Sequence, residues 1–208
     1  MILIYDMGHG GIDKKGVYTT SPSKMFEHDK GSFHQGSTFY EGVKNRWYGN
    51  EVVRLVKEKG IEVYVVNHEF KDTPLKERVD IANAVHSKHL KSKVMYVSEH
   101  SNATSSHNAT GLQVYTSVGN TKSDVLADDL VKRFKQKQWR VLTDTDDGDM
   151  DYEANFYVIK ETNVPAVLIE NLFFDNYKDA CRLMDINYWK EYTQLQADWI
   201  EYCFKHLL

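Results

Sequence analysis

The residues best suited to chemistry in this sequence are two histidines and two glutamates that lie far apart along the chain. His9 stands among glycines in DMGHGG, directly after a short apolar run, and His100 follows another such run in MYVSEHSNAT. Glu41 lies between them in FYEGVKNRW, and Glu170 ends the apolar run of VPAVLIENLFFDN. Two imidazoles and one carboxylate are a common ligand set for catalytic zinc, and a further carboxylate could act as a general base.

Each of these residues also has a simpler interpretation that the residue alone does not exclude. His9 could be a turn histidine without chemistry, and Glu41 could be a favourable anion in the first turn of a helix. Glu170 could be a salt-bridged glutamate at the end of a strand, since an unpaired buried carboxylate is costly. The position of the four residues in the fold therefore has to decide.

Alternating strand and helix patterns predict the elements that position these residues. Short apolar runs rich in Val, Ile or Tyr predict strands at residues 2–5, 61–66, 93–97, 111–116 and 166–169. Helices are predicted near residues 42–59, 74–86, 123–136 and 188–206. Thr73 and Pro74 are suited to begin the second helix, and Gly60 to end the first. These patterns predict a single α/β domain, with a mostly parallel sheet covered by helices on both faces.

The predicted topology brings the four residues to one edge of the sheet. His9, His100 and Glu170 each lie at the carboxyl end of a predicted strand, where open α/β sheets bind ligands. A helix that returns along a parallel sheet begins at this same edge, so Glu41 is directed towards the histidines. Convergence of four separate segments favours a metal-dependent site that keeps an open position for water.

Composition limits the functions that this chain can have. It has 208 residues, 27% of them charged, and a net charge of -4, which argues against nucleic acid or an anionic membrane as a partner. The two cysteines, Cys181 and Cys203, exclude a disulfide framework and a cysteine-rich zinc site. Asp6 comes too early for the apolar region of a signal peptide, so we expect a chain without one.

Six segments resemble, in order along the chain, the zinc-dependent N-acetylmuramoyl-L-alanine amidases, which are the catalytic domains of bacterial autolysins and many phage endolysins. The segments are DMGHGG, YEGVKN, LKERVDIAN, VSEHSN, GLQVYT and VPAVLIENLFFDN. The resemblance implies a twisted, mostly parallel sheet flanked by helices and an amidase catalytic domain over residues 1–208. It implies that His9, Glu41 and His100 bind one Zn²⁺ and that Glu170 is the catalytic glutamate.

The implied reaction is hydrolysis of the amide that joins the lactyl group of N-acetylmuramic acid to L-alanine of the stem peptide. Zinc would polarise the carbonyl group and lower the pKa of bound water towards ~7, and Glu170 would transfer the proton. The implied partner is peptidoglycan, and the protein would act on the bacterial cell wall as a phage lysin or a secreted enzyme. Asp6, Asn45 and Asn102 lie close in sequence to the implied ligands and could orient them, or each could be a turn or capping residue.

Three positions depart from the family pattern. Met7 stands where proline is usual, and Leu172 stands where glycine is usual. Glu99 stands beside His100 where the family has an apolar residue. Strict alternation would aim Glu99 at a helix-covered face, where it would need a partner. Alternatively, Glu99 lies past the end of the strand and adds negative charge near the metal.

Residues 12–40 are predicted to form a long active-site loop. A segment of this length without regular structure is usually functional or mobile in a compact domain. Tyr18, Phe26 and Phe33 could line a substrate groove, and the alternative is a mobile surface loop.

Two other functions stay open at this point. One is a peptidoglycan-binding or metal-binding module without catalysis, although such a module would not need the general base Glu170. The other is a zinc peptidase that cuts a different amide of the stem peptide with nearly the same site. Two histidines and one glutamate can also hold divalent ions other than zinc.

Overall fold

A sheet of six strands forms the centre of the fold, in a computed structural model that describes residues 1–20, 24–146 and 148–208. The strands are β1 (Ile2–Asp6), β2 (Met25–Glu27), β3 (Thr38–Tyr40), β4 (Glu62–Val65), β5 (Val94–Asn102), β6 (Gln113–Thr116), β7 (Tyr152–Glu153) and β8 (Ala166–Phe173). The helices are α1 (Glu41–Glu58), α2 (Leu75–Lys88), α3 (Lys122–Gln136), α4 (Tyr157–Lys160), α5 (Tyr177–Leu183) and α6 (Ile186–Tyr202). A π-helical turn continues α6 through Cys203–Leu207.

The strand order confirms the predicted α/β fold. Across the sheet the order is β4-β1-β5-β8-β6-β7, and β4, β1, β5 and β8 run parallel to one another. β6 lies antiparallel to β8, and β7 pairs in parallel with β6, so these two strands run the other way. β2 and β3 form a separate antiparallel pair. The sheet is therefore mostly parallel, and the parallel strands end at one common edge.

Helices cover both faces of the sheet because the strand side chains alternate between two apolar layers. Leu3 and Tyr5 of β1 face one layer, and Ile2 and Ile4 face the other. Helices α1, α3 and α6 pack against the first layer. The residues that they contribute to it include Tyr48, Val52, Leu126, Leu130, Tyr192 and Trp199. Helices α2 and α4 supply to the second layer Val79, Ala82, Val158 and Ile159. Of the helices that the structure describes, none is long and apolar enough to span a membrane.

Most predicted element bounds agree with the structure to within a few residues. β5 extends to Asn102 instead of residue 97, because His100 and its neighbours continue to pair with β8. Gly60 follows α1 with a φ of 75°, in the left-handed conformation expected after a helix. Helix α6 begins before residue 188 because the carboxylate of Asp185 accepts hydrogen bonds from two N–H groups of its first turn.

Two local features differ from the prediction. Thr73 does not cap α2, because its hydroxyl accepts a hydrogen bond from the N–H group of His68 at 2.8 Å, and Pro74 takes the cap position. The predicted loop of residues 12–40 contains the β2–β3 hairpin, so it is not loop throughout. Residues 21–23 of that segment lie outside the described residues. The proposed role of the segment beside the active site stays a prediction.

Asp6, the last residue of β1, is fully buried among polar groups. Its carboxylate accepts hydrogen bonds from Tyr96 at 2.8 Å, Ser98 at 2.9 Å and Asn67 at 2.8 Å, and it pairs with Arg78 at 3.3 Å. Burial by itself raises the pKa of Asp6, but the Arg78 guanidinium and the hydrogen bonds outweigh it and hold the pKa below its usual range. This cluster fixes the strand end that leads into DMGHGG.

Replacing Asp6 with asparagine should destabilise the fold by roughly 3 kcal/mol near neutral pH, because it removes one of the two carboxylates that pair with the buried Arg78 and a charged acceptor of two buried hydroxyls. The folded pKa of Asp6 lies below the unfolded value of about 3.9, so the unfolded state binds more protons and wild-type stability falls with pH there. The difference between wild type and Asp6→Asn should therefore shrink as the pH falls below about 4. Urea unfolding at several pH values, with a chelator present, measures it.

Asp80→Asn is the matched control for this experiment. Asp80 lies on the exposed side of α2 and pairs only with Lys76 in the part of the chain that the structure describes. Its replacement should change the free energy of unfolding by less than about 0.5 kcal/mol. A difference between wild type and Asp6→Asn that stays constant with pH would contradict the assigned ionisation.

Candidate metal and catalytic site

The carboxyl edge of the parallel strands brings together the four residues that the sequence singles out. His9 lies in the glycine-rich turn after β1, and Glu41 is the first residue of α1. His100 lies in β5 and Glu170 in β8, directly opposite each other in the parallel register. The strand ends and the helix start meet at one edge because the connections run back along the sheet.

Three of these residues form a compact cluster of nitrogen and oxygen atoms. One ligand atom from each of His9, Glu41 and His100 lies within 4.8 Å of the other two. His100 Nδ1 is 2.9 Å from Glu41 Oε1, and His9 Nε2 is 3.5 Å from Glu41 Oε2. Among the residues that the structure describes, no other group of three histidine, cysteine or acidic side chains has this arrangement.

Unpartnered buried atoms support a cation as the ligand of this cluster. His9 Nε2, Glu41 Oε2 and Glu170 Oε2 are buried, and none of them has a hydrogen-bond partner within the described residues. Buried polar atoms are rarely left unpaired in native proteins, so lone pairs gathered at one place indicate a missing ligand. Two imidazoles and a carboxylate are a donor set that suits divalent cations, zinc in particular. The residues present therefore fit a metal ion.

The surroundings of Glu41 favour its charged form and leave one oxygen available. Burial by itself raises its pKa, but His9 and His100 outweigh the burial and hold the pKa of Glu41 at about 2. The amide of Asn45 lies 3.4 Å from Oε1, and the N–H group of Ser101 donates to the same oxygen at 3.2 Å. The protein thus fixes Oε1 by hydrogen bonds. Oε2 accepts none within the described residues and lies 3.5 Å from His9 Nε2 and 3.9 Å from the Lys24 ammonium, so it faces a position where a cation is favourable.

Glu170 lies beside the cluster in a different electrostatic environment. The register places it between His100 on β5 and Gln113 on β6. Burial raises the pKa of Glu170 to about 8, and repulsion from Glu41 adds to this, while nearby cations on Lys24 and Lys44 oppose it. A buried carboxyl group that lies beside such a cluster is suited to general acid–base chemistry.

Asp72 contacts His9 from behind, and sequence reasoning missed it. Its Oδ2 atom is 3.6 Å from His9 Nδ1, whereas the other ring nitrogen of His9 faces Glu41. Its second oxygen accepts a hydrogen bond from Arg78 at 2.8 Å. A carboxylate behind a ligating imidazole fixes the tautomer and the ring orientation. The available sequence signal is that Asp72 lies just before α2, which begins at the same edge as α1.

The three residues that sequence proximity suggested as supports behave differently. Asn45 contacts Glu41, as described above. Asp6 holds the turn before His9, because its Oδ1 atom accepts the N–H group of Gly8 at 3.0 Å. Asn102 bonds instead to the side chain of Gln113 at 2.7 Å, and Gln113 lies opposite Glu170 in the register of β6 and β8.

Replacing Asp72 with asparagine should weaken metal binding by roughly 10–100-fold, the usual effect of losing a carboxylate behind a ligating histidine. The expected cause is a His9 ring whose tautomer and orientation are no longer fixed. Competition with a chromophoric chelator measures the affinity, and Asp80→Asn on the exposed side of α2 serves as the matched control. Equal affinities of the two variants would show that Asp72 has no such role.

Glu99 faces the helices and not the metal-binding cluster. Its side chain is 0% exposed, and its Oε1 atom is 2.7 Å from the Lys44 ammonium, which is also 0% exposed. Tyr192 and Gln196 of α6 donate to Oε2 at 2.9 Å and 3.0 Å. The sequence left two interpretations of Glu99 open. The structure confirms the first, in which Glu99 points to a helix-covered face of the sheet and has a partner there, Lys44.

The other two departures from the family pattern keep the local backbone shape. The N–H group of Met7 donates to the side chain of Asn67, a hydrogen bond that proline could not make. Leu172 has a φ of 63°, the left-handed conformation that glycine adopts freely and that costs other residues about 1–2 kcal/mol. Leu172 lies within β8, where the register with β5 shifts after Glu170, and it keeps a backbone conformation that a glycine would favour.

The aromatic residues predicted to line a groove divide between two places. The hydroxyl of Tyr18 accepts the N–H group of Gly42 at 3.1 Å, next to Glu41. The rings of Phe26 and Phe33 each lie 4.8 Å from the ring of His28, between centroids, in a separate aromatic cluster. Of the three aromatic residues, Tyr18 is therefore the one that contacts the first turn of α1, which carries the predicted ligand Glu41.

Comparison with known proteins identifies the family. The sequence profile of the N-acetylmuramoyl-L-alanine amidase family matches residues 2–202. A curated relative, the probable cell wall amidase LytH of Staphylococcus epidermidis, is 26% identical over 183 residues, which are 88% of this chain and 51% of LytH. The chain thus spans about half the length of the curated relatives that it matches.

Solved structures share the fold over nearly the whole chain. The catalytic domain of CwlV, an N-acetylmuramoyl-L-alanine amidase from Bacillus (Paenibacillus) polymyxa var. colistinus, is 27% identical, with a TM-score of 0.68 over 97% of both chains. An N-acetylmuramoyl-L-alanine amidase from Clostridium difficile has a TM-score of 0.73 at 22% identity, over 99% of this chain and 97% of its own. With a family profile that matches residues 2–202, this chain belongs to the N-acetylmuramoyl-L-alanine amidase family.

Proposed function

We propose that this chain hydrolyses peptidoglycan at the amide between N-acetylmuramic acid and L-alanine of the stem peptide, with Zn²⁺ as its cofactor. The observation that carries this proposal is the cluster of His9, Glu41 and His100 beside the buried acid Glu170. Membership of the amidase family supports the choice of substrate. The bacterial cell wall is the proposed place of action, in line with a relative named a probable cell wall amidase.

The ligand residues are oriented before any substrate arrives. His9, Glu41 and His100 would hold the zinc ion, which when bound lowers the pKa of water to about 7 and polarises a carbonyl group. Asp72 holds the ring of His9 from behind, and the N–H group of Ser101 holds one oxygen of Glu41. Such contacts reduce the reorganisation that the reaction would otherwise need.

Glu170 would move the proton that the reaction requires. As a carboxylate it accepts a proton from the attacking water at Oε2, and as an acid it returns the proton to the departing nitrogen of L-alanine. The C–N bond breaks and a C–O bond forms, so the products are a lactyl carboxylate on the sugar and a peptide with a free amino terminus.

Digestion of purified peptidoglycan followed by mass analysis of the soluble fragments tests this function. The expected result is release of stem peptides that begin with L-alanine, loss of the release after treatment with a chelator, and recovery after addition of zinc. Cleavage inside the stem peptide would contradict the assigned bond and indicate a zinc peptidase. Zinc binding without any cleavage would contradict catalysis and indicate a binding module.

A further inference from the structure

A buried ion pair lies directly behind the candidate site and takes no part in the proposed chemistry. Lys44 Nζ is 2.7 Å from Glu99 Oε1, and neither side chain is exposed to solvent. Glu99 precedes His100 in β5, and because strand side chains alternate, the two residues point to opposite faces of the sheet. The pair therefore lies on the face of β5 that α1 and α6 cover, opposite to the face of His100.

The members of this pair and their partners are sequence neighbours of the site residues. Lys44 lies one helical turn after Glu41 in α1, and Glu99 directly precedes His100. Asn171, which donates to Glu99 Oε1 at 3.3 Å, directly follows the catalytic glutamate in β8. The three elements α1, β5 and β8 carry Glu41, His100 and the catalytic glutamate. All three are thus joined at the buried carboxylate of Glu99.

Lys44 also contacts the strand backbone at the site. Its ammonium donates to the carbonyl oxygen of His100 at 3.2 Å, in addition to its bond with Glu99. Next to it, the hydroxyl of Ser101 donates to the carbonyl oxygen of Asn171 at 2.9 Å. These contacts fix the spacing between α1, β5 and β8 close to the residues of the site that these elements carry.

One polar stripe of α6 completes the network. Tyr188, Tyr192 and Gln196 recur at every fourth position, so they lie on one face of the helix. Tyr192 and Gln196 donate to Glu99 Oε2 at 2.9 Å and 3.0 Å, and Tyr188 donates to the side chain of Asn171 at 2.7 Å. Both carboxylate oxygens of Glu99 are therefore fully engaged.

The same stripe reaches the strand that leads to His9. The hydroxyl of Tyr5 in β1 donates to Gln196 Oε1 at 2.8 Å. Helix α6 thus makes side-chain hydrogen bonds to β1, β5 and β8, the strands that lead to or carry His9, His100 and Glu170.

Stability alone does not account for such a pair. Replacing a buried ion pair by well-packed apolar residues of similar volume often leaves stability unchanged or raises it. What an apolar pair lacks is direction, because only a hydrogen-bonded network fixes the angles and distances of the groups that it joins.

We propose that Lys44 and Glu99 are positioning residues, which hold the metal-binding and catalytic side chains in register through α1, β5, β8 and the polar stripe of α6. The proposal rests on the function proposed above. It predicts that removing the pair disturbs zinc binding and the catalytic step more than it disturbs folding or substrate binding.

The double variant Lys44→Met with Glu99→Leu tests the proposal. It removes both charges and keeps similar side-chain volumes, but it leaves the buried donors of Tyr192, Gln196 and Asn171 without their acceptor, so we expect a folded protein that is less stable than wild type. We expect kcat to fall by roughly 10-fold or more with KM unchanged, and zinc affinity to weaken by a similar factor. Leu130→Ala, a buried site in α3, is the matched control: it should lose stability but keep both kcat and zinc affinity.

Two results would overturn the proposal. One is a folded double variant with wild-type kcat and zinc affinity. The other is a Leu130→Ala control with the same losses as the double variant, which would assign them to stability alone. If the double variant does not fold, Tyr192→Phe decides, since it removes only one hydrogen bond to Glu99. A lower kcat at unchanged KM supports positioning, and a wild-type kcat overturns it.

The zinc-affinity measurement separates this proposal from the proposed function. Competition with a chromophoric chelator does not depend on which bond the enzyme cleaves. A wild type that binds zinc but releases no peptides with amino-terminal L-alanine would contradict the proposed reaction. The affinities of wild type and variants would then decide the positioning role: a weaker affinity in the variants supports it, and an equal affinity overturns it.

Discussion

Replacing Glu170 with glutamine should lower kcat by roughly 10²–10⁴-fold and leave the fold and the zinc affinity intact. Glutamine keeps the shape of the side chain between β5 and β6 but can neither accept nor return the proton of the reaction. The effect is expected in kcat because the loss concerns a step of the bound complex. The rate at which new L-alanine amino termini appear in a peptidoglycan digest measures it.

Glu62→Gln is the matched control, because Glu62 is also a strand glutamate but lies exposed in β4 at the far edge of the sheet. It should keep wild-type kcat. If Glu170→Gln retained more than about a tenth of the wild-type kcat, general acid–base catalysis by Glu170 would be contradicted.

Replacing Glu41 with glutamine should abolish the stabilisation of the protein by zinc. Glu41 supplies the negative charge of the ligand set, and one of its oxygens lies 2.9 Å from His100 Nδ1 while the other accepts no hydrogen bond within the described residues. Zinc at 100 times its dissociation constant should stabilise the wild type by about 2.7 kcal/mol. At the same concentration the variant should show little stabilisation and no detectable hydrolysis, because metal binding and catalysis need the same carboxylate.

Thermal or urea unfolding with and without zinc measures this difference. Glu77→Gln is the matched control, since Glu77 lies in the first turn of α2 as Glu41 lies in the first turn of α1, but it is exposed. It should gain as much stability from zinc as the wild type. An equal gain in Glu41→Gln would mean that zinc binds elsewhere.

The position of the four site residues could be predicted from the sequence because it follows from topology. His9, His100 and Glu170 each end an apolar run, and the carboxyl ends of parallel strands share an edge. Glu41 begins a helix that returns along the sheet, so its direction follows as well. The order of strands was not needed for this inference, only their shared direction.

The contacts around the site could not be predicted in the same way. Asp72 lies in the connection after β4, and its place just before α2 indicates the edge of the sheet but not the contact with His9 at 3.6 Å. Lys44 lies within a helix, where a lysine usually faces solvent, yet here it is buried against Glu99. Such contacts depend on how helices pack across a sheet, which periodicity along one chain does not encode.

Local rules failed where a tertiary contact offered a better partner. Thr73 is a good capping residue, but its hydroxyl binds the backbone of His68, and Pro74 takes the cap position instead. Residues 12–40 lack a strong strand pattern, yet β2 and β3 pair within them. In both cases the structure satisfies backbone groups through contacts that the local sequence does not specify.

Hydrolysis of a defined N-acetylmuramoyl peptide in heavy-oxygen water is the most direct test of the proposed amide cleavage. Mass analysis of the two products shows which bond breaks and where the oxygen of water goes. We predict one heavy oxygen in the lactyl carboxylate of the muramic acid product, and an unlabelled peptide with a free L-alanine amino terminus. A heavy oxygen in a carboxylate of the peptide would contradict the proposed amidase reaction.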